Sequence, residues 1–290
     1  MLEHLLPEII NGIVLGAFFA IVAIGLSLIM NLTGTINMAH GSFMTLAGYI
    51  AFTLVSRGTN FWYALIVAAL LTMVVGILTE RLLVSRLYSR LPIYSLLLTF
   101  GLSLIAEETY RLVWGPSAVP FSPPSYLLGA TSVFGVPLPS YRLVIVAALL
   151  VAMAALVLFL FKSRLGLRLR AAVQDSEMLA ALGTNTRVVY TANFAIGILL
   201  AGVAGVFAAG LLGLLPTMGN ELLMPAFITV VIGGMGSLAG SIVGGLLLGI
   251  AVSVATLYVP AASELVLYLL MAVVLLIRPR GLFGEEGLFG

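Results

Sequence analysis

Three stretches of this chain, residues 141–161, 189–215 and 237–259, are each apolar over at least the roughly 20 residues that an α-helix needs to cross a bilayer. A transmembrane barrel would instead need alternating segments of about ten residues, and these runs do not alternate. Charge is scarce as well. Only 8% of the 290 residues are charged, against about 25% in ordinary soluble domains, and charged side chains are costly in hydrocarbon. The expected fold class is therefore all-α, a polytopic transmembrane helical bundle forming a single domain over residues 1–290. No linker, low-complexity tract or soluble domain is visible. The net charge of +2 argues against a nucleic-acid role, and the absence of cysteine removes disulfide and thiolate chemistry. The first residues lack the basic n-region of a cleaved signal, so the first span is expected from Pro7 onward.

Reading the apolar runs in order places spans at 8–30, 42–56, 61–80, 92–114, 141–161 and 189–215. Three further segments follow at 222–235, 237–259 and 261–277, with Pro260 between the last two. This gives eight or nine crossings, some short or broken, and either short segment is a candidate for a re-entrant loop. Residues 31–41 form a polar, glycine-containing break, and 115–140 is a long loop rich in proline. Arg81, Arg86 and Arg90 fall in one connection, Lys162, Arg164, Arg168, Arg170 and Arg187 in or beside a second, and Arg278 and Arg280 in the tail. Cytoplasmic loops retain positive charge, so all three belong on the cytoplasmic side, the Pro-rich loop faces outward, and nine crossings fit better than eight.

Counting excludes most enzyme chemistry. There is one Asp (Asp175), one Lys (Lys162) and two His (His4 and His40), with no phosphate-binding G-x-x-x-x-G-K-[ST] loop. Two histidines without cysteine make no convincing zinc site. The informative positions lie elsewhere. The segment from Gly34 to Ser42 is polar between two membrane-grade flanks, with Asn37, His40 and Ser42 as donors and acceptors and Gly41 permitting a turn. It reads either as a broken helix lining a translocation path or as an ordinary cytoplasmic turn. A second interruption, Gly233-Gly234-Met235-Gly236-Ser237, weakly resembles the first, as an internal duplication would produce. Gly236, Gly240 and Gly244 recur every fourth residue, a ridge suited to close helix packing.

Between Arg168 and Thr186 the residues from Arg170 to Leu182 favour a helix of about three turns with Gly183 as its cap, on which Val173, Leu179 and Leu182 share an apolar side and Asp175 and Glu177 are polar points. It reads either as an amphipathic helix on the bilayer surface or as a docking helix for a cytosolic partner. Glu107, Glu108 and Arg111 stand at helical neighbour spacings near the outer end of their span, and read as a structural or partner-docking pair in preference to a proton relay. Trp62, Tyr63 and Trp114 fit an outer interfacial belt.

Taken together, these segments resemble a family. The run from Gly34 through Asn37-Met38-Ala39-His40-Gly41-Ser42 to Tyr49 is similar to the signature after the first span of branched-chain amino-acid ABC transporter permeases of LivH type. Residues 164–175 with Leu182-Gly183 resemble their cytoplasmic coupling loop, residues 231–240 their late Gly-rich motif, and Arg278-Pro279-Arg280-Gly281-Leu282-Phe283-Gly284 their usual ending. The resemblance covers nearly the whole chain in the same order.

It implies a non-catalytic permease subunit of an importer for branched-chain or related small amino acids, in a bacterial inner membrane. The implied partners are a second related permease chain, two ABC ATPase subunits carrying ATP and Mg, and a periplasmic substrate-binding protein; no cofactor is bound by this chain. It further implies coupling to the ATPase through residues 163–187, with Arg168, Arg170, Ala171, Ala172, Gln174, Asp175, Glu177 and Gly183. The coupling segment reads Arg170-Ala171-Ala172 rather than the Glu-Ala-Ala of better-known importers. The translocation pathway is expected at Asn37, His40, Gly41, Ser42, Gly233, Gly234, Gly236 and Ser237. Relatives of this type also serve urea, short amides and organic acids. The readings left as rivals are an ion-coupled secondary transporter, an intramembrane enzyme and a purely structural subunit.

Overall fold

The structure, a computed structural model, describes residues 2–133, 136–260 and 263–284. Its helices are α1 (Leu2–Thr33), α2 (His40–Ser56), α3 (Phe61–Leu82), α4 (Pro92–Trp114), α5 (Ser140–Lys162), α6 (Arg164–Gln174), α7 (Ser176–Ala181), α8 (Thr186–Leu212), α9 (Met218–Gly233), α10 (Leu238–Tyr258) and α11 (Ser263–Ile277). Five long, apolar stretches, Leu5–Thr33, Phe61–Leu87, Ser140–Lys162, Thr186–Leu212 and Leu238–Tyr258, have the length and composition to cross a membrane. The chain is a multi-pass helical membrane protein.

Local chemistry sets most of the boundaries. The Asn60 side chain caps α3 by accepting from the Trp62 amide, and Pro92 opens α4, where a missing N–H costs nothing. The expected 189–215 span starts earlier, at Thr186, because Asn185 caps it through the Arg187 amide. It ends earlier, at Leu212, because Gly213 turns the chain with a φ of 85°. The segment expected at 222–235 is α9, which begins four residues sooner. Of the expected 261–277 span, Ala261 and Ala262 lie outside the described residues, and α11 covers the rest from Ser263.

The bundle is helical as expected, with one small addition outside the helices. The Pro-rich loop carries a hairpin in which β1 (Ala130–Val133) pairs antiparallel with β2 (Val136–Pro139), Ala130 opposite Pro139 and Ser132 opposite Pro137. Pro137 and Pro139 hold φ near the extended range and need no N–H partner on a free edge. The expected single helix over 170–182 is two helices. Asp175 is extended (φ −158°), and its side chain accepts from the Met178 amide to start α7. The break turns the apolar side: Leu179 is buried while Val173 and Leu182 face out.

The centre of the bundle is α1 and α8, its two most enclosed spans. In lipid there is no hydrophobic drive between helices, so close backbone approach at small residues supplies the packing. Gly12 and Gly16 of α1 meet Gly245, Leu246, Gly249 and Ile250 of α10 in antiparallel order, and Gly197 of α8 meets Gly25 of α1. Two members of the expected glycine ridge pack as a ridge, Gly240 and Gly244 lying against the α9 backbone at Gly233 and Thr229, whereas Gly236 falls in the turn before α10 and meets Asn31 of α1. Trp114, half-buried at the end of α4, stacks on Tyr49, ring centroids 4.7 Å apart, and donates to Thr53 Oγ1.

A Cβ on Gly249 would overlap the Gly16 backbone, whereas Gly101 on α4 faces open space. Gly249→Val should therefore cost about 1–3 kcal/mol or more by overpacking. Gly101→Ala should be neutral or slightly stabilising. Thermal unfolding of the detergent-solubilised protein, followed by loss of monodisperse protein, distinguishes the two.

Candidate functional site: two helices that start inside the bundle

After Thr33 the chain turns at Gly34 (φ 64°), whose amide bonds the Met30 carbonyl, and residues 34–39 run without helix. α2 does not begin level with the end of α1. The His40 ring lies against Gly25, its Cε1 3.2 Å from where a Gly25 Cβ would stand. Gly25 is eight residues before Thr33, so at 1.5 Å per residue the chain has re-entered the bundle by roughly 12 Å before α2 starts. Non-helical backbone at that depth must find partners inside the protein. Here α4 supplies them. Thr99 Oγ1 accepts from the Met38 amide at 3.1 Å, and the Asn37 side chain and carbonyl accept from the Ala39 and His40 amides.

A second interruption mirrors the first. Past Gly213 the chain forms a backbone bridge between Leu214 and Val119, then folds back until α9 starts at Met218. The Gly219 amide donates to Thr45 Oγ1 at 2.9 Å, and Gly219 and Gly41 touch backbone to backbone. From this meeting point α2 runs toward the hairpin end of the bundle, where Thr53 receives Trp114. α9 runs the opposite way, toward the end where the Gly236 amide donates to Ser27 of α1 at 3.2 Å. Each connection is thus half extended chain and half helix, and the two helix N-termini face each other inside the protein.

Neither N-cap residue, Ala39 of α2 or Thr217 of α9, caps its helix with its own side chain, and Thr45 serves one amide of α9. Two positive helix ends therefore stand together in a setting with little water to screen them. Around them Asn37, His40, Ser42 and Thr45 are buried. The Asn37 amide nitrogen and both His40 ring nitrogens make no hydrogen bond among the described residues, although the Val22 carbonyl lies near the ring. From α4, Glu107 pairs with Arg111 and accepts from the Asn220 side chain at 2.9 Å, tying α4 to the first turn of α9. Glu108 is the looser partner of Arg111, at 3.5 Å.

The expected pathway residues fall in two places. Asn37, His40, Gly41 and Ser42 are together at the α2 start. Gly233, Gly234, Gly236 and Ser237 lie at the far end of α9, where Ser237 caps α10 through the Gly240 amide. The tail closes on that turn, with the Leu282 and Phe283 amides bonding the Ile232 and Gly233 carbonyls at 2.8 and 3.0 Å. The structural counterpart of the first break is therefore 213–219, not 232–240. Sequence reading missed it, although Gly213, Pro216, Thr217 and Gly219 interrupt an apolar run there. It also missed Thr45 and Thr99, which carry the two contacts at the breaks; Ser95, Thr99 and Ser103, buried every fourth residue along α4, were the visible signal.

The expected coupling residues stand at the other kind of surface. α6 is capped by Ser163 and buries Gly166, Leu169 and Ala172. Arg168, Gln174, Asp175 and Glu177 are exposed, Ala171 is half-buried, and Arg170 lies over the Phe161 ring at 4.5 Å. Gly183 ends the loop with a φ of 83°. Leu167, Met178 and Leu182 are exposed apolar side chains among these charges. Arg81, Arg86 and Arg187 surround one cavity, so two of the three basic regions meet at the same end of the bundle.

A multi-pass bundle with two interrupted helices meeting at their N-termini, and an exposed charged loop at one end, is the architecture of a membrane permease. The family model described as branched-chain amino acid transport system, permease component, matches residues 8–276, and the chain belongs to that family. The high-affinity branched-chain amino acid transport system permease protein LivH of Escherichia coli K12 is 30% identical over 97% of this chain and 96% of its own. BraD of Pseudomonas aeruginosa, a permease protein of a system with the same description, is also 30% identical, with the same coverage. LivM of Escherichia coli K12 is 26% identical over 91% of this chain and 67% of its own. The chain is a permease component of that family.

The Gly41–Gly219 contact leaves no room for a methyl group, so Gly219→Ala should separate α2 from α9 and lower stability more than Thr45→Val. The latter removes one interhelical hydrogen bond, worth roughly 1 kcal/mol. Thr45→Ser should restore it. Melting temperatures of the four proteins, wild type included, give the ranking.

Proposed function

We propose that this chain is the membrane-spanning subunit of an ATP-driven importer for branched-chain or related small amino acids, in the inner membrane of a bacterium. It crosses nine times, with α2 and α9 as discontinuous crossings. A second, related permease chain stands beside it, two ATPase subunits dock on residues 163–187, and a periplasmic binding protein delivers cargo at the hairpin end. LivH and LivM, two similar permease proteins described for one transport system in one organism, support a pair of unlike chains. ATP and Mg belong to the ATPase subunits, and this chain binds no cofactor.

The observation that carries the reading is the meeting of α2 and α9. Two helix ends without a cap from their own N-cap side chains present positive dipole to the interior, offset in part by Glu221 in α9, beside donors that have no partner among the described residues. This suits the carboxylate of an amino acid, as helix N-termini suit anions generally. The Asn37 amide and His40 ring add hydrogen bonds, and Gly41 and Ser42 allow close approach. The surrounding small and apolar residues pass an aliphatic side chain. Movement starts from the loop. Its exposed leucines and arginines grip the ATPase, and α6 is packed on the ends of α5 and α8, so a shift of the loop moves spans in the bundle core. Gly233, Gly234, Gly236 and Ser237 then form the joint at the inner end of α9, where the chain bends as the path opens.

Reconstitution of the complete complex in proteoliposomes tests this. Wild type should accumulate leucine only with ATP and binding protein. Arg168→Glu with Arg170→Glu, or Gly183→Val, should cut uptake roughly tenfold or more while folding is retained, the scale of a lost coupling free energy of 1–3 kcal/mol. Asn37→Ala should lower uptake by a similar factor with ATPase association intact. Uptake by the chain alone, driven by an ion gradient, would overturn the reading.

A further inference from the structure

At the arginine-bearing end, away from the α2–α9 meeting point, a cavity of about 710 Å³ opens between the end of α3 and the start of α8. Its floor is Glu80, which is 1% exposed. The Thr191 hydroxyl donates to one carboxylate oxygen at 2.8 Å and the Tyr88 hydroxyl to the other at 3.0 Å. Burial and the neighbouring carboxylate push the Tyr88 hydroxyl's pKa up, so it stays a donor. Among the described residues no cationic nitrogen reaches Glu80. A buried carboxylate without a cation is costly, and two hydroxyl donors leave lone pairs on both oxygens unused. The rim has the opposite character. Arg81, Arg86 and Arg187 are exposed there and form no ion pair among the described residues.

An acid at the bottom and guanidinium groups at the mouth discriminate among occupants. A simple anion, such as phosphate or a lipid headgroup phosphate, answers the rim but is repelled by the floor. A basic side chain of a docked protein answers the floor but must pass three arginines. A molecule carrying both an ammonium and a carboxylate answers both. The volume falls within the range of small-molecule sites.

We infer that this cavity is a second amino-acid site, open to the cytosol, which takes the ammonium group on Glu80 and the carboxylate on the rim arginines. It rests on the proposed function only for the identity of the amino acid and for the side it faces. The cavity is bordered by α3, by the 3₁₀ turn after it and by the first residues of α8 next to the coupling loop. An occupant therefore fastens the loop's end to a span, and amino acid accumulated inside the cell slows its own import.

The test uses the complete complex in proteoliposomes preloaded with leucine, with isovalerate (the carboxylate without the ammonium) or with buffer, followed by initial ATP-driven uptake. Preloaded leucine should slow wild type several-fold, and isovalerate should not. Glu80→Gln and Arg86→Gln should each abolish the inhibition, with uptake into buffer-loaded vesicles unchanged. Arg86→Gln serves where the loss of the buried acid prevents folding. Insensitivity of wild type to internal leucine, equal inhibition by isovalerate, or loss of the ATPase subunits from Arg86→Gln would each overturn the inference. Radiolabelled leucine binding to the purified complex without binding protein, lowered by Arg86→Gln, reads the site separately. It distinguishes failure of this site from failure of the transport reading, which shows as wild type that takes up nothing with ATP.

Discussion

Backbone amides and carbonyls at bilayer depth must be paired within the protein, and the centre of this molecule is arranged around two places where helices fail to pair them. Each interruption is tolerated because a neighbouring helix lends a hydroxyl. Thr99 of α4 serves the extended stretch before α2, and Thr45 of α2 serves the first turn of α9. The second contact makes the two interruptions depend on each other, since α9 is anchored by a residue of the helix that begins at the first break. The close approach of Gly41 and Gly219 follows, because any side chain there would hold Thr45 away from the amide it serves. The glycine-rich faces of α1, α8 and α10 play the supporting part. They build a tight central post against which the two short helices are held at defined depth.

The consequence for chemistry is electrostatic. A helix that spans the bilayer leaves its ends in polar surroundings, where water quiets them. α2 and α9 instead begin inside the protein, so the partial positive charge of both is retained in a poorly screened setting. The described residues place two carboxylates at the start of α9, Glu221 in its first turn and Glu107 through Asn220, and neither helix is capped by the side chain of its own N-cap residue. A protein that must bind an anion briefly and release it gains from such a site. Dipoles attract without the permanence of a buried arginine.

Much of the architecture was legible in the sequence because span length and charge scarcity are properties of the chain itself. The apolar runs, the positive loops and the break after Met30 follow from residue type alone, and so does the Glu107–Arg111 pairing at helical spacing. The depth of α2 was not legible. Whether a polar segment lies at the surface or folds back inside depends on partners 61 to 174 residues away, Thr99 for Met38 and Thr45 for Gly219. The second break was hidden for a related reason. Gly213 to Gly219 contains leucine, proline and methionine, so its hydropathy stays high while its backbone leaves the helix. The conspicuous glycines at 233–236 drew attention away from it, and they turned out to receive the tail. The split of residues 170–182 at Asp175 was missed because helix propensity does not see a side chain that competes for its own backbone.

The docking of that tail bears on biogenesis. The carbonyls at the end of α9 are satisfied by Leu282 and Phe283, which leave the ribosome only after two further helices have been made. The end of α9 and the segment 281–284 are thus made far apart in time but are joined in the fold, so the pairing of the last α9 carbonyls depends on chain synthesised after α10 and α11.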